Sequence, residues 1–254
     1  MSENIGAQLD RIPWQAQVLR LTAFPTPSPI PIQTGWWEQM VGQTPAAITS
    51  RPKQGRYHEE GPFSNGSLIC ETGPARIDWL FAPNDLEAEG DLFATIGTFS
   101  DTLDVFRQLA DRWFGLETCP SVQRLAFGAI LLQLVESKQA GYRQLSTYLP
   151  NFELDTENSS DFMYQINRPR ESGSGIPNLK INRLTKWSVA TSKLFPISPL
   201  GGVGPGRTNF ACRLELDVNT MQEFEGQISR EQMPPVFRES TDLAWEIAEK
   251  GDIP

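Results

Sequence analysis

An α+β fold built on a largely antiparallel sheet, with about three main helices, is what the amino-acid sequence predicts, and three observations carry that prediction. Several segments alternate apolar and polar residues with period two, as strands with one buried face do. Three others repeat apolar residues at helical spacing. The resulting order is several strands, helix, strand, helix, three strands, helix, which is neither β-α-β alternation nor all strand. The 254 residues suit a single domain spanning 1–254, and the loop near 150–160, rich in acids and Asn, is where two subdomains would divide.

Trp14 to Phe24 reads as the first strand. The run from Pro25 to Pro31 has four prolines in seven residues and imposes an extended connector, since proline cannot donate to a sheet ladder. A short amphipathic piece follows around Trp36 to Met40, and Arg51 to Gly66 is polar enough to read as an excursion or edge hairpin. Ser67 to Glu71 and Ala75 to Ala82 then form strands about a Thr72-Gly73-Pro74 turn, with Ile77, Trp79 and Phe81 on the buried face. Phe93 to Phe99 is a further expected strand. Ser100 is placed to cap a helix from Asp101 to Phe114, and Gly115 stands where a left-handed terminal residue is wanted.

Val122 to Val135 is apolar at both alternating sets of positions, which predicts a central strand covered on both faces. Lys138 to Tyr148 reads as a helix stopped before Leu149-Pro150. Asp161 to Asn167 and Ile181 to Phe195 read as adjacent strands, each containing the tripeptide Ile-Asn-Arg, the only internal repeat visible. Beyond the Gly-rich turn 201–206, Thr208 to Val218 predicts a strand with Phe210, Cys212, Leu214, Leu216 and Val218 inward and Arg213, Glu215 and Asp217 outward. Pro234-Pro235 opens a last helix running through Lys250.

Composition limits the function classes. Hydrophobic residues at 39% and charged residues at 21% fit a globular chain. No apolar run approaches the roughly 20 residues of a transmembrane helix, and Met1 to Asp10 lacks the basic and apolar regions of a signal peptide. With three unevenly spaced cysteines besides, a cytoplasmic location is expected.

The charge is unevenly divided. Between Phe162 and Leu214 eight basic residues face a single acid, Glu171, in a chain of net charge −9. Six of these, Arg168, Arg170, Lys180, Arg183, Lys186 and Arg207, are candidate anion contacts, with Tyr164 or Trp187 available for stacking. The competing reading is that they balance the acids from Glu215 to the C-terminus, and an overall pI of about 4.8 favours it.

Other constellations say less. His58 is the only histidine and stands in a polar segment, so any histidine-based catalysis rests on it alone, and sites needing several imidazoles are excluded. The Gly201 to Gly206 turn precedes a strand where phosphate loops precede a helix. Cys119 has no base nearby in sequence. Glu215 and Asp217 share one side of a strand, an arrangement open to a magnesium-dependent phosphodiester hydrolase, but a solvated face neutralised by basic neighbours is the commoner cause. The sequence assigns no cofactor, no metal ligand set and no membrane contact.

Three segments carry a resemblance. Arg76-Ile77-Asp78-Trp79, Gln123 to Gly128 after a helix, and Leu214-Glu215-Leu216-Asp217 closing a late strand are similar to a sporadically distributed family of uncharacterised bacterial proteins of about this size. The proline-rich connector after the first strand departs from that family's usual beginning. The resemblance implies a bacterial origin and a role in an accessory gene module, and transfers no catalytic residue. The expected function is therefore a non-enzymatic interaction protein, an accessory subunit with a protein partner or a second copy. A nucleic-acid-binding component is the alternative.

Overall fold

A computed structural model describes residues 12–26, 35–84, 93–194 and 206–253. The proline run from Pro27 and the Gly-rich turn 201–205 fall outside the described residues. The elements are β1 (Gln15–Pro25), α1 (Trp36–Val41), β2 (Ala47–Arg51), a 3-10 turn (Pro52–Gln54), β3 (Arg56–Phe63), β4 (Gly66–Thr72), β5 (Ile77–Ala82) and α2 (Phe99–Gly115). They continue with β6 (Val122–Val135), α3 (Lys138–Ser146), β7 (Met163–Asn167), β8 (Arg170–Glu171), β9 (Lys180–Leu194), β10 (Arg207–Thr220) and α4 (Met233–Lys250). The fold is α+β, with ten strands in one sheet whose pairs are all antiparallel.

Strand order reveals a repeat that the sequence hides. Across the sheet the order is β2-β3-β4-β5-β1-β6-β10-β9-β7, with β8 beside β7 on the outer side of β9. Outward from the central β1–β6 pair, each half reads first strand, last strand, then earlier strands in turn. Each half also runs strand, helix, strands, helix: β1, α1, β2 to β5, α2, then β6, α3, β7 to β10, α4. Because β7 and β8 pair with successive stretches of β9, they act as one strand interrupted at Arg168-Pro169. The second half then has three strands after its helix where the first has four, and β2 is the surplus one.

All four helices pack on one face. Phe106 of α2 and Phe237 of α4 both meet Phe127 of β6, Trp37 of α1 donates to the Leu68 carbonyl at 3.0 Å, and Gly141 of α3 lies against Val189 of β9. Gly141 permits that approach, since a Cβ there would stand 2.8 Å from a Val189 methyl. Leu103, Phe106, Ala110, Trp113 and Phe114 bury the expected stripe of α2. Each fully buried large side chain of this kind contributes about 2–3 kcal/mol of transfer free energy.

Three local expectations change. The segment 93–98 is not a strand: Gly97 adopts φ 118, and only a few bonds, such as Ile96 N–H to the Ala16 carbonyl at 2.8 Å, tie it to the start of β1. Thr98, two residues before Ser100, is the N-cap of α2, its hydroxyl accepting from Asp101 N–H. Gly115 is the last helical residue and Leu116 caps in extended conformation, so no left-handed residue ends this helix. The polar segment after Arg51 is the edge hairpin that its composition allowed, β3 pairing the outermost strand β2 on one side and β4 on the other.

Candidate functional site

β6 carries the most consequential difference. Its two apolar sets do not signal cover on both faces. Leu125, Phe127, Ala129 and Leu131 meet the helices, whereas Ala126, Gly128 and Ile130 belong to a face on which no described helix lies. Period-two alternation carries that face across every strand, with Phe93 covering it at Leu132 and Ala211. Val18, Arg20 and Thr22 come from β1, Asp78 and Leu80 from β5, Arg213, Glu215 and Asp217 from β10, and Leu184 and Lys186 from β9.

One hollow of about 420 Å³ on this face touches six neighbouring strands, from Leu80 on β5 to Gln165 on β7. The hollow makes this part of the uncovered face concave. Its lining combines apolar Val18, Leu80, Ile130 and Leu184 with charged Arg20, Lys186, Glu215 and Asp217. The Arg20 guanidinium lies over Gly128, where a Cβ would stand 3.4 Å from Nε. A second hollow of about 280 Å³ lies at the β2 end, bounded by Thr49, Arg51, Arg56, His58 and Glu71. His58 Nε2 is 3.2 Å from a Glu60 carboxylate oxygen in that region.

Between the hollow and the end of the sheet runs a ladder of amides. Asn167 Nδ2 donates to Asn182 Oδ1 at 2.9 Å, Asn182 Nδ2 to Asn219 Oδ1 at 3.1 Å, and Asn219 Nδ2 to Asp217 at 2.9 Å. Arg124 extends it, with Nε donating to the Thr220 carbonyl at 3.3 Å and the guanidinium 4.8 Å from the Phe24 ring centre.

The basic stretch is divided by the same alternation. Arg168 goes to the helix side and is held by Asp252. Arg183 is buried there, donating to the Arg168 carbonyl at 2.8 Å, and burial followed by the charge of Arg170 lowers its pKa. Arg170 is exposed on that side near Glu246, whose pKa is lowered first by Lys250 and then by Arg170. Lys180, Lys186 and Arg207 take the uncovered side. Lys180 pairs with Glu171 at 3.0 Å, Lys186 with Glu215 at 3.1 Å, and Arg207 is exposed at the start of β10.

Glu215 and Asp217 do share the uncovered face. Glu215 Oε1, however, receives both Lys186 and Arg213 at 3.1 Å, and Asp217 receives the Asn219 amide. Among the described residues no group of three His, Cys, Asp or Glu side chains is arranged to hold a metal ion. Cys119 is buried, which raises its thiol pKa to about 12 and withholds the thiolate.

No family model, curated protein or solved structure matches this chain. The site therefore rests on its own geometry.

Sequence reasoning passed over Arg20, Arg51, Arg56 and Arg124. Each is exposed or half-buried on the uncovered face, and none has a carboxylate within 4.0 Å among the described residues. Each is a single outward-facing arginine in its own strand, so only the strand order brings them together.

Proposed function

We propose that this protein is a non-enzymatic interaction protein, an accessory subunit of a cytoplasmic bacterial module, and that it takes a partner protein on the free edge of β2. The carrying observation is the asymmetry of the two sheet edges. Exposed edges invite pairing, and proteins blunt those that they do not use. The β7/β8 edge is blunted by the interruption at Arg168-Pro169. The β2 edge is a surplus strand whose five residues are all exposed, and Ile48 is 56% exposed.

An extended segment of the partner would add there as an eleventh strand, main-chain bonds giving affinity and side-chain positions giving selectivity. Arg51, Lys53 and Arg56 at the hairpin tip favour a segment carrying acidic side chains. Nothing in this reading requires chemistry at Glu215 and Asp217.

A photo-crosslinking residue at position 48, installed in the native host, tests it. The expected result is a stoichiometric crosslink to one partner protein, absent when the probe stands at Met163 on the other edge and lost when Thr49→Lys is added. A crosslink only to a second copy of this chain, or a clean monomer without crosslink, would overturn the reading.

A further inference from the structure

We propose that the concave, uncovered face of the sheet binds nucleic acid, with Arg20, Arg51, Arg56 and Arg124 as its phosphate contacts. This surface adjoins the β2 edge and shares Arg51 and Arg56 with it, but Arg20 and Arg124 stand on β1 and β6, so the inference does not rest on the edge reading.

Two acids of this face are neutralised by cations: Asp78 receives Arg76 and Thr22 at 2.6 Å each, and Glu215 holds Lys186 and Arg213. Glu60 and Asp217 keep their charge beside the neutral partners His58 and Asn219. Glu71 alone lacks a hydrogen-bond or ion-pair partner among the described residues, and it shares its hollow with two arginines. The positive charge left over therefore exceeds the negative.

Arg51 and Arg56 are directly opposed across β2 and β3, held there by a tight turn in which Gly55 N–H donates to the Pro52 carbonyl at 3.1 Å. Like charges in that position destabilise a sheet, so an anion from outside is what they suit. From β2 to β6 the four arginines span five strand steps, about 24 Å at roughly 4.8 Å per step. By register Arg51, Arg56 and Arg124 fall close to one row across the strands, and Arg20 stands four residues along β1 from it. A phosphodiester chain, with negative charge at much closer intervals, therefore meets three in a row and reaches the fourth by bending along β1.

Two further features fit the same ligand. Asn167 and Asn182 of the ladder, exposed and half-buried, each spend one amide hydrogen on a neighbour and retain a second for sugar or base edges. On the opposite side α2 and α4 hold seven acids against four bases, with Asp104 and Asp242 on Arg107 and Asp111 on Arg238, a modest negative excess that favours the uncovered face for a polyanion. The net charge of −9 keeps such binding weak and sensitive to salt.

The measurement is fluorescence anisotropy with labelled single-stranded and duplex oligonucleotides of about 20 residues, at about 50 and 200 mM salt. The full chain should bind at least one form at the lower salt and lose at least about tenfold in affinity at the higher. The double variant Arg20→Glu/Arg56→Glu should lose at least about tenfold at low salt, and Arg20→Gln/Arg56→Gln should lower the log–log salt slope by about 2. Arg112→Glu on the helix side should change affinity less than about twofold. Melting curves superposable on the parent's establish that the variants fold. Absence of binding at low salt, unchanged binding by the double variants, or an equal loss in Arg112→Glu would overturn the proposal.

Discussion

Arg168 donates to both oxygens of Asp252, Nε to Oδ1 at 2.7 Å and Nη2 to Oδ2 at 2.8 Å, and so fastens the break between β7 and β8 to the residue two beyond the end of α4. Tyr164 adds its hydroxyl to Oδ2 at 2.8 Å, and the carboxylate is only 5% exposed. The Arg168 guanidinium, ahead of Tyr164, holds the Asp252 carboxyl below its ordinary pKa. A depressed carboxylate pKa gives stability that is present above the unfolded value of about 3.9 and is lost as pH falls through the folded one. Asp252→Asn should cost about 2 kcal/mol in urea unfolding at neutral pH, and the gap from the parent should shrink as pH falls below about 4.

Glu59 carries the opposite sign. It is 2% exposed on the helix side of β3, with a Trp37 N–H at 3.4 Å as its hydrogen-bond donor, and burial raises its pKa. A raised carboxylate pKa makes the native state bind more protons, so stability falls as pH rises from the ordinary value of about 4.3 through the folded one. Glu59→Gln keeps an acceptor for Trp37 without a buried charge. It should stabilise the protein by about 1 kcal/mol at pH 8, an advantage that disappears below about pH 4. Melting temperatures of parent and variant across that range check it.

The alternation in β5 and β10 and the stripes of α2 and α4 were legible because each is a local pattern read against a fixed period. Trp79 and Leu216 face inward, and Val236, Leu243 and Ile247 line one buried side of their helix, as their spacing requires. Phe93 to Phe99 misled because its aromatic and β-branched residues favour a strand while one residue, Gly97 at φ 118, turns the chain. β6 misled because apolar positions on a strand do not say whether anything covers them. The repeat of halves was invisible for a deeper reason. It is carried by strand order around β1 and β6, and antiparallel pairing over a hundred residues apart leaves no period along the chain.

Gly251 is a backbone requirement. It sits at φ 86, and a Cβ there would fall on the Tyr148 carbonyl, which accepts from Asp252 N–H at 2.8 Å. Neither the left-handed backbone nor the clash can be relieved without moving the Asp252 attachment. Gly251→Ala should destabilise by about 3 kcal/mol or more, and hydrogen exchange should show the end of α4 opening before the rest of the sheet.

Glu215 offers a test of charge on the concave face that runs the other way from removing arginines. Its Oε1 is shared by Lys186 and Arg213, all three side chains being about one-third exposed, so solvent screens the pairs and their loss should cost at most about 1 kcal/mol. Glu215→Gln keeps a hydrogen-bond acceptor in place but leaves both cations without a counter-charge. If the face contacts phosphates, the variant should bind oligonucleotide about threefold or more tightly at low salt, with a steeper salt dependence, because two further cations become available to the ligand. A metal-dependent hydrolase would respond differently, since the same substitution would remove a ligand carboxylate and abolish magnesium-stimulated cleavage. Anisotropy titration and a nuclease assay on one preparation therefore separate the two roles, and tighter binding without any cleavage by the parent is the expected outcome.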